Sequence, residues 1–157
     1  MKNNLLIIFS ILILNGCERC RNSCSPPPDP LRFKIVNSSD TSDIYFENEP
    51  IYNLDSLNLY YIENEQRRFL ELYVGKFDPD HYYLACDSIP FLSYEREIKT
   101  FYLYLYHNNV KIMHINVDYI SDDCCSWYEY KEVIFDRGPA PVSDIHPTVY
   151  WFFLDVY

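Results

Sequence analysis

Phe101-Tyr102-Leu103-Tyr104-Leu105-Tyr106 is the stretch that decides the fold. In an extended chain, successive side chains point to opposite faces. Phe101, Leu103 and Leu105 then share one face, and Tyr102, Tyr104 and Tyr106 share the other. His107-Asn108-Asn109 reads as a turn, and Val110 to Tyr119 returns with Met113, Ile115 and Val117 on one face. Two alternating runs about a polar turn predict an antiparallel pair. Its register is strongly specified, because a slip of one residue would turn every buried side chain outward.

The pattern continues in both directions. Upstream, Leu31 to Val36 alternates with Leu31, Phe33 and Ile35 on one face, and a polar cluster (Asn37 to Asp43) leads to Ile44-Tyr45-Phe46. Leu57 to Glu63 and Phe69 to Val74 are two further runs, joined by Asn64 to Arg68. Asp78-Pro79-Asp80 turns into His81 to Cys86. Between Phe91 and Lys99 the pattern fits either a helical turn or a loop. Downstream come an acidic loop with two cysteines (Ile120 to Ser126), a strand from Trp127 to Phe135 with Val133 and Phe135 inward, and an irregular Pro-rich crossing (Arg137 to Pro147). Val149-Tyr150-Trp151-Phe152-Phe153-Leu154 is apolar enough to sit inside a sheet. Eight or nine strands with short connections predict an all-β fold, an antiparallel β-sandwich with an immunoglobulin-like topology as one form. A closed β-barrel is the alternative. Residues 31–157 are enough for one such domain and too few for two.

The N-terminus is a different kind of segment. Lys2 precedes an apolar run from Leu5 to Leu14, which has the length of a secretory signal and falls well short of the about 20 residues that span a bilayer. It ends in Leu14-Asn15-Gly16-Cys17, which resembles the lipobox of bacterial lipoproteins. That resemblance covers the first seventeen residues. It implies cleavage after Gly16, with Cys17 thioether-linked to diacylglycerol as the new N-terminus. Residues 1–16 are then the signal peptide and residues 17–30 a lipid-anchored tether. Pro26-Pro27-Pro28 favours polyproline II within that tether. Together with the tyrosine-rich composition, the anchor makes the chain similar to small all-β lipoproteins of the Bacteroidota type, many without assigned function. The implied location is the cell envelope, at the outer membrane, on either face.

Charge and composition exclude several functions. Removing residues 1–16 takes Lys2 and no acid, so the net charge goes from −10 to −11. Such a surface repels phosphates, and no basic stripe interleaved with aromatics offsets it, so no nucleic-acid partner is expected. Apart from Gly16, glycine occurs only at Gly75 and Gly138. Phosphate-cradling loops and dinucleotide fingerprints need several glycines at fixed spacing. There is no Gly-x-Ser-x-Gly elbow and no His-Glu-x-x-His pattern, and His81, His107, His114 and His146 are scattered. No catalytic residue, cofactor or metal site is expected.

With Cys17 lipidated, five cysteines remain in an oxidising compartment. Cys86 is expected to pair with Cys124 or Cys125, and Cys20 with Cys24 or with the domain. Cys20-x3-Cys24 and Cys124-Cys125 lack the spacing of a zinc site. Asp118, Asp122 and Asp123 offer hard oxygen ligands but match no calcium loop, and a solvated acidic turn accounts for them.

Tyr102, Tyr104 and Tyr106, extended by Trp127, Tyr128, Tyr130 and Trp151, form a candidate platform for sugar rings, each with an apolar face and a polar tip. Cross-strand aromatic pairing accounts for the same residues without any ligand. The expected function is a non-catalytic, lipid-anchored binding or interaction module of the cell envelope, with an envelope protein or a glycan as partner. The alternative is a structural or accessory subunit that joins an envelope assembly through exposed strand edges. Third comes a glycoside-type hydrolase with dispersed carboxylates.

Overall fold

The computed structural model describes residues 29–47, 50–79, 81–106, 109–121, 125–144 and 146–156. Ten strands build two facing sheets. The four-stranded sheet has the order β10-β1-β5-β4, from β1 (Leu31–Asn37), β4 (Tyr73–Asp78), β5 (His81–Cys86) and β10 (Val149–Leu154). The six-stranded sheet has the order β3-β2-β6-β7-β8-β9, from β2 (Asn58–Glu63), β3 (Gln66–Leu70), β6 (Thr100–Tyr104), β7 (Val110–Ser121), β8 (Ser126–Phe135) and β9 (Gly138–Pro139). This is an all-β sandwich, and neither sheet closes into a barrel. Among the described residues no helix is long and apolar enough to cross a membrane. The expected signal peptide, residues 1–16, and Cys17 lie outside the described residues.

The alternating runs bury the faces their periodicity predicts. Phe101, Leu103, Met113 and Ile115 are fully buried, as are Leu31 and Phe33 from the opposite sheet. The faces meet at Phe152 of β10. Its ring stacks on Phe135 of β8 at 4.4 Å and on Phe33 of β1 at 4.7 Å, so one side chain joins both layers.

The strand order is not the immunoglobulin one, in which the first, second, fifth and fourth strands form one sheet. Here the last strand flanks the first, and β10 runs parallel to β1 from Arg32↔Val149 to Asn37↔Leu154. Docking beside β1 puts Phe152 and Leu154 of this apolar closing strand into the core.

Two connections differ from the sequence reading. The run Phe69 to Val74 is two strands in different sheets: β3 ends at Leu70, Glu71 and Leu72 cross the gap, and β4 begins at Tyr73. The loop read at Asn64 to Arg68 is only the pair Asn64-Glu65, both at positive φ (51° and 63°). Left-handed geometry at both positions is that of a tight hairpin turn whose twist matches its strands.

The segment around Phe91 folds as a helix, α1 (Ser88–Glu95), which carries the chain from β5 in one sheet to β6 in the other. Its position follows from unequal strand lengths. β7 has twelve residues and β6 only five, so the second half of β7 has no β6 backbone to pair with. The segment around α1 supplies those partners. Ser93 Oγ donates to the Ile115 carbonyl at 2.9 Å, the Ile115 amide donates to the Lys99 carbonyl at 2.8 Å, and Lys99 Nζ donates to the Ser93 carbonyl at 2.7 Å. Ile89 and Leu92 of α1 complete that end of the core.

The expected bridge from Cys86 to Cys124 or Cys125 is not made, because Cys86 is a free thiol inside the core. It sits on the inward face of β5, opposite Leu31 of β1. Burial pushes this thiol up to about 11, against two amide hydrogen bonds that favour the thiolate, so it is a poor nucleophile at neutral pH. Cys125 is disulfide-bonded.

Candidate metal centre and aromatic surfaces

The β4–β5 hairpin ends with Asp78 paired to His81 across the turn at Pro79, and its register shifts between Lys76 and Asp78. Such a bulge re-aims side chains near a strand end. Here Phe77 lies on the outer face of the four-stranded sheet. Its ring packs on Tyr83 at 4.5 Å and on His146 at 4.0 Å and 17°, nearly parallel to the imidazole.

His146 comes from the crossing segment before β10, which hugs the outer edge of that strand. Ser143 donates its amide to the Val149 carbonyl, Trp151 donates its amide to the Pro141 carbonyl, and Val142 bridges to Tyr150. The His146 amide donates to Ser143 Oγ at 3.3 Å, and its carbonyl accepts from the Val149 amide at 2.9 Å. The backbone on both sides of the imidazole is thus tied down.

The result is a cluster of Asp78, His81 and His146 in which one donor atom from each residue lies within 4.8 Å of the others. His81 Nδ1 is 2.7 and 2.8 Å from the two Asp78 carboxylate oxygens, and the two imidazoles meet edge to face at 5.7 Å. His146 Nε2 is buried and has no hydrogen-bond partner among the described residues. A buried polar atom in that state is destabilising by about 1–3 kcal/mol.

Gly75 supports the cluster from beneath. A Cβ there would overlap the Tyr83 ring, so the absence of a side chain lets Tyr83 lie across β4 and hold Phe77 under His146. Gly75→Ala is expected to swing the Tyr83 ring away and cost about 1–3 kcal/mol, the range for overpacking. Chemical denaturation of Gly75→Ala, Tyr83→Ala and the double variant measures this. The double variant should be less impaired than the two single costs added together.

No family model, no curated protein and no solved structure matches this chain. The reading of its surfaces therefore rests on geometry and chemistry.

The sequence-predicted sugar platform is not one surface. Tyr102 and Tyr104 lie on the outer face of the six-stranded sheet, opposite to buried Phe101 and Leu103. Tyr106 belongs to another group, 5.7 Å from Tyr52. Trp151 is on the outer face of the other sheet, 6.2 Å from Phe153.

Tyr130 and Trp127 are three residues apart on β8 and so lie on opposite faces, and a bulge just beyond Tyr130 decides which face is which. Asn116 pairs with Glu132 while Val117 pairs with Tyr130, which leaves Lys131 as an extra residue and reverses the alternation of β8. Tyr128 and Tyr130 therefore pack against the core, and Trp127 points outward. Tyr130 donates to the Asp29 carbonyl at 3.2 Å beside Tyr150, and burial raises its phenol well above the usual range.

Tyr102 gains neighbours the sequence did not suggest. It stacks on Tyr60 at 5.2 Å, Tyr60 contacts Phe69 at 5.7 Å, and Arg67 lies over the Tyr60 ring at 5.1 Å. Register explains the row: Phe69, Tyr60, Tyr102 and Ile112 are directly opposite one another on β3, β2, β6 and β7. Asn58, Tyr60, Arg67, Phe69 and Tyr104 line a shallow depression of about 300 Å³.

The remaining candidates are dispersed. Asp118 is 4.0 Å from Lys131, while Asp122, Asp123, Cys124 and His107 lie outside the described residues. Sequence spacing could have grouped Asp78 with His81 but gave no signal for His146, whose approach depends on how the crossing segment folds back over the sheet.

Proposed function

We propose that the protein is a lipid-anchored, non-catalytic binding module of the cell envelope, held at the outer membrane through Cys17 and spaced from it by residues 17–30. Its ligand surface is the outer face of the six-stranded sheet, and its ligand class is a glycan. The observation that carries this is the depression at Phe69, Tyr60 and Tyr104. It combines the exposed Phe69 ring and the half-buried Tyr104 ring, set over buried Tyr60, with the hydrogen-bonding groups of Asn58 and Arg67. Sugar rings bind through that combination of apolar face and polar edge. Phe69 is 63% exposed, a large apolar side chain left in water.

Calorimetric titration of the full-length protein in detergent with a panel of oligosaccharides tests the proposal. Neither tryptophan lines this depression, so calorimetry is a better readout than tryptophan quenching. Binding should weaken about tenfold in Phe69→Ala and in Tyr104→Ala, a loss of roughly 1.4 kcal/mol each. A flat titration across the panel would remove the glycan as ligand.

One observation favours a second reading, an accessory subunit of an envelope assembly. β3 is an edge strand with no neighbour on its outer side among the described residues, and Phe69 lies on it. An edge of that kind can accept a strand from another protein. Stoichiometric co-purification of an envelope protein, lost on replacing Phe69 with proline, would select this reading.

A further inference from the structure

We infer that Asp78, His81 and His146 bind a divalent transition-metal ion of the class that prefers imidazole with carboxylate, and that zinc is its representative. Two histidines and one carboxylate converge from segments far apart in sequence, with their donor atoms within 4.8 Å. An Asp–His ion pair alone would explain Asp78 and His81, which already touch at 2.7 Å. It would not explain why a second imidazole is stacked onto Phe77 and aimed at the same point. Nor would it explain why His146 Nε2 is buried without a hydrogen bond among the described residues. A metal ion in the cluster gives the His146 ring a partner, and neutral imidazole is the commonest protein ligand for such ions.

The geometry needs little adjustment. Zinc holds nitrogen and oxygen ligands at about 2.0–2.2 Å, so tetrahedral ligands stand roughly 3.4 Å apart. The Asp78–His81 contact, at 2.7 Å, has to open to that distance and His146, within 4.8 Å, has to close to it, side-chain movements of about 1 Å at the tip of the hairpin, where Asp78 is exposed and both histidines are partly so. Phe77, itself packed on Tyr83, limits the orientations of the His146 ring. The net charge of −10 raises the local concentration of divalent cations.

Three protein ligands leave a coordination position for water or for a donor from a bound molecule. Loading would also clamp the β4–β5 hairpin to the segment before β10. This site is on the four-stranded sheet, so it does not depend on the aromatic surface of the other sheet.

The test uses full-length, untagged protein in detergent, stripped with a chelator and titrated with zinc chloride. The expected result is one zinc per chain, with affinity reduced at least about tenfold in His81→Ala, His146→Ala and Asp78→Asn. Cobalt substitution should give visible bands of a nitrogen–oxygen ligand set without intense thiolate-to-metal absorption. Far-UV circular dichroism checks that the variants are folded. His146→Gln, closer in size to histidine, replaces His146→Ala if the alanine variant loses structure. The inference is overturned if the wild-type chain binds no zinc. It is equally overturned if His81→Ala/His146→Ala binds zinc as tightly as wild type, or if cobalt shows a thiolate signature.

Discussion

Phe152→Ala is expected to remove about 3–5 kcal/mol of folding stability, the range for truncating a fully buried phenylalanine. The residue is completely buried, with a ring from its own sheet on one side and a ring from the facing sheet on the other. Truncation loses the transfer free energy of the ring and leaves a cavity that Phe33 and Phe135 cannot both close. Against a usual total of about 5–15 kcal/mol, the variant should be near the limit of folding. Urea denaturation followed by circular dichroism should show a large drop in the midpoint with little change in slope. Phe153→Ala is the matched control, because Phe153 is the next residue but points to the outer face and is 38% exposed. It should cost about 1 kcal/mol or less. Equal costs for the two would contradict the inward orientation of Phe152.

On the proposed lipid anchor, Cys17→Ser is expected to abolish lipid attachment and move the protein from the membrane fraction to the soluble fraction, or to leave an unprocessed precursor. Serine has no thiol for the thioether, and no other apolar segment of comparable length is present in the sequence. Each buried methylene contributes about 0.8 kcal/mol to membrane binding, so losing two or three acyl chains is close to an all-or-none change. Fractionation and labelling with a fatty-acid analogue measure it. A variant that still incorporates label and sediments with membranes would refute the anchor, and with it the tether role of residues 17–30.

The alternation of Phe101 to Tyr106 and of Val110 to Tyr119 was legible because a strand repeats every two residues, and both runs bury the faces so predicted. The same rule failed at β8. Counting back from Phe135 and Val133 would put Lys131, Glu129 and Trp127 inside, but the bulge at Lys131 reverses the faces and turns Tyr130 and Tyr128 inward instead. A bulge is a property of two paired strands, so one strand's sequence does not reveal it. The pairing of Cys86 failed for a related reason. Spacing gives loop length but not direction, and the Cys86 side chain points between the sheets.

By itself, the sequence determined the local and compositional features: alternating faces, the turn residues, the absence of glycine-rich loops, the acidic charge, and the resemblance of residues 1–17 to a lipoprotein signal. Each depends on neighbours in the chain or on sums over it. The tertiary structure alone decided which strands are adjacent. It brought Phe69, Tyr60 and Tyr102 into one row and set β10 parallel to β1. It also folded the segment before β10 back over the sheet, so that His146 meets Asp78 and His81. Those contacts depend on how the whole core closes, and no interval along the chain encodes them.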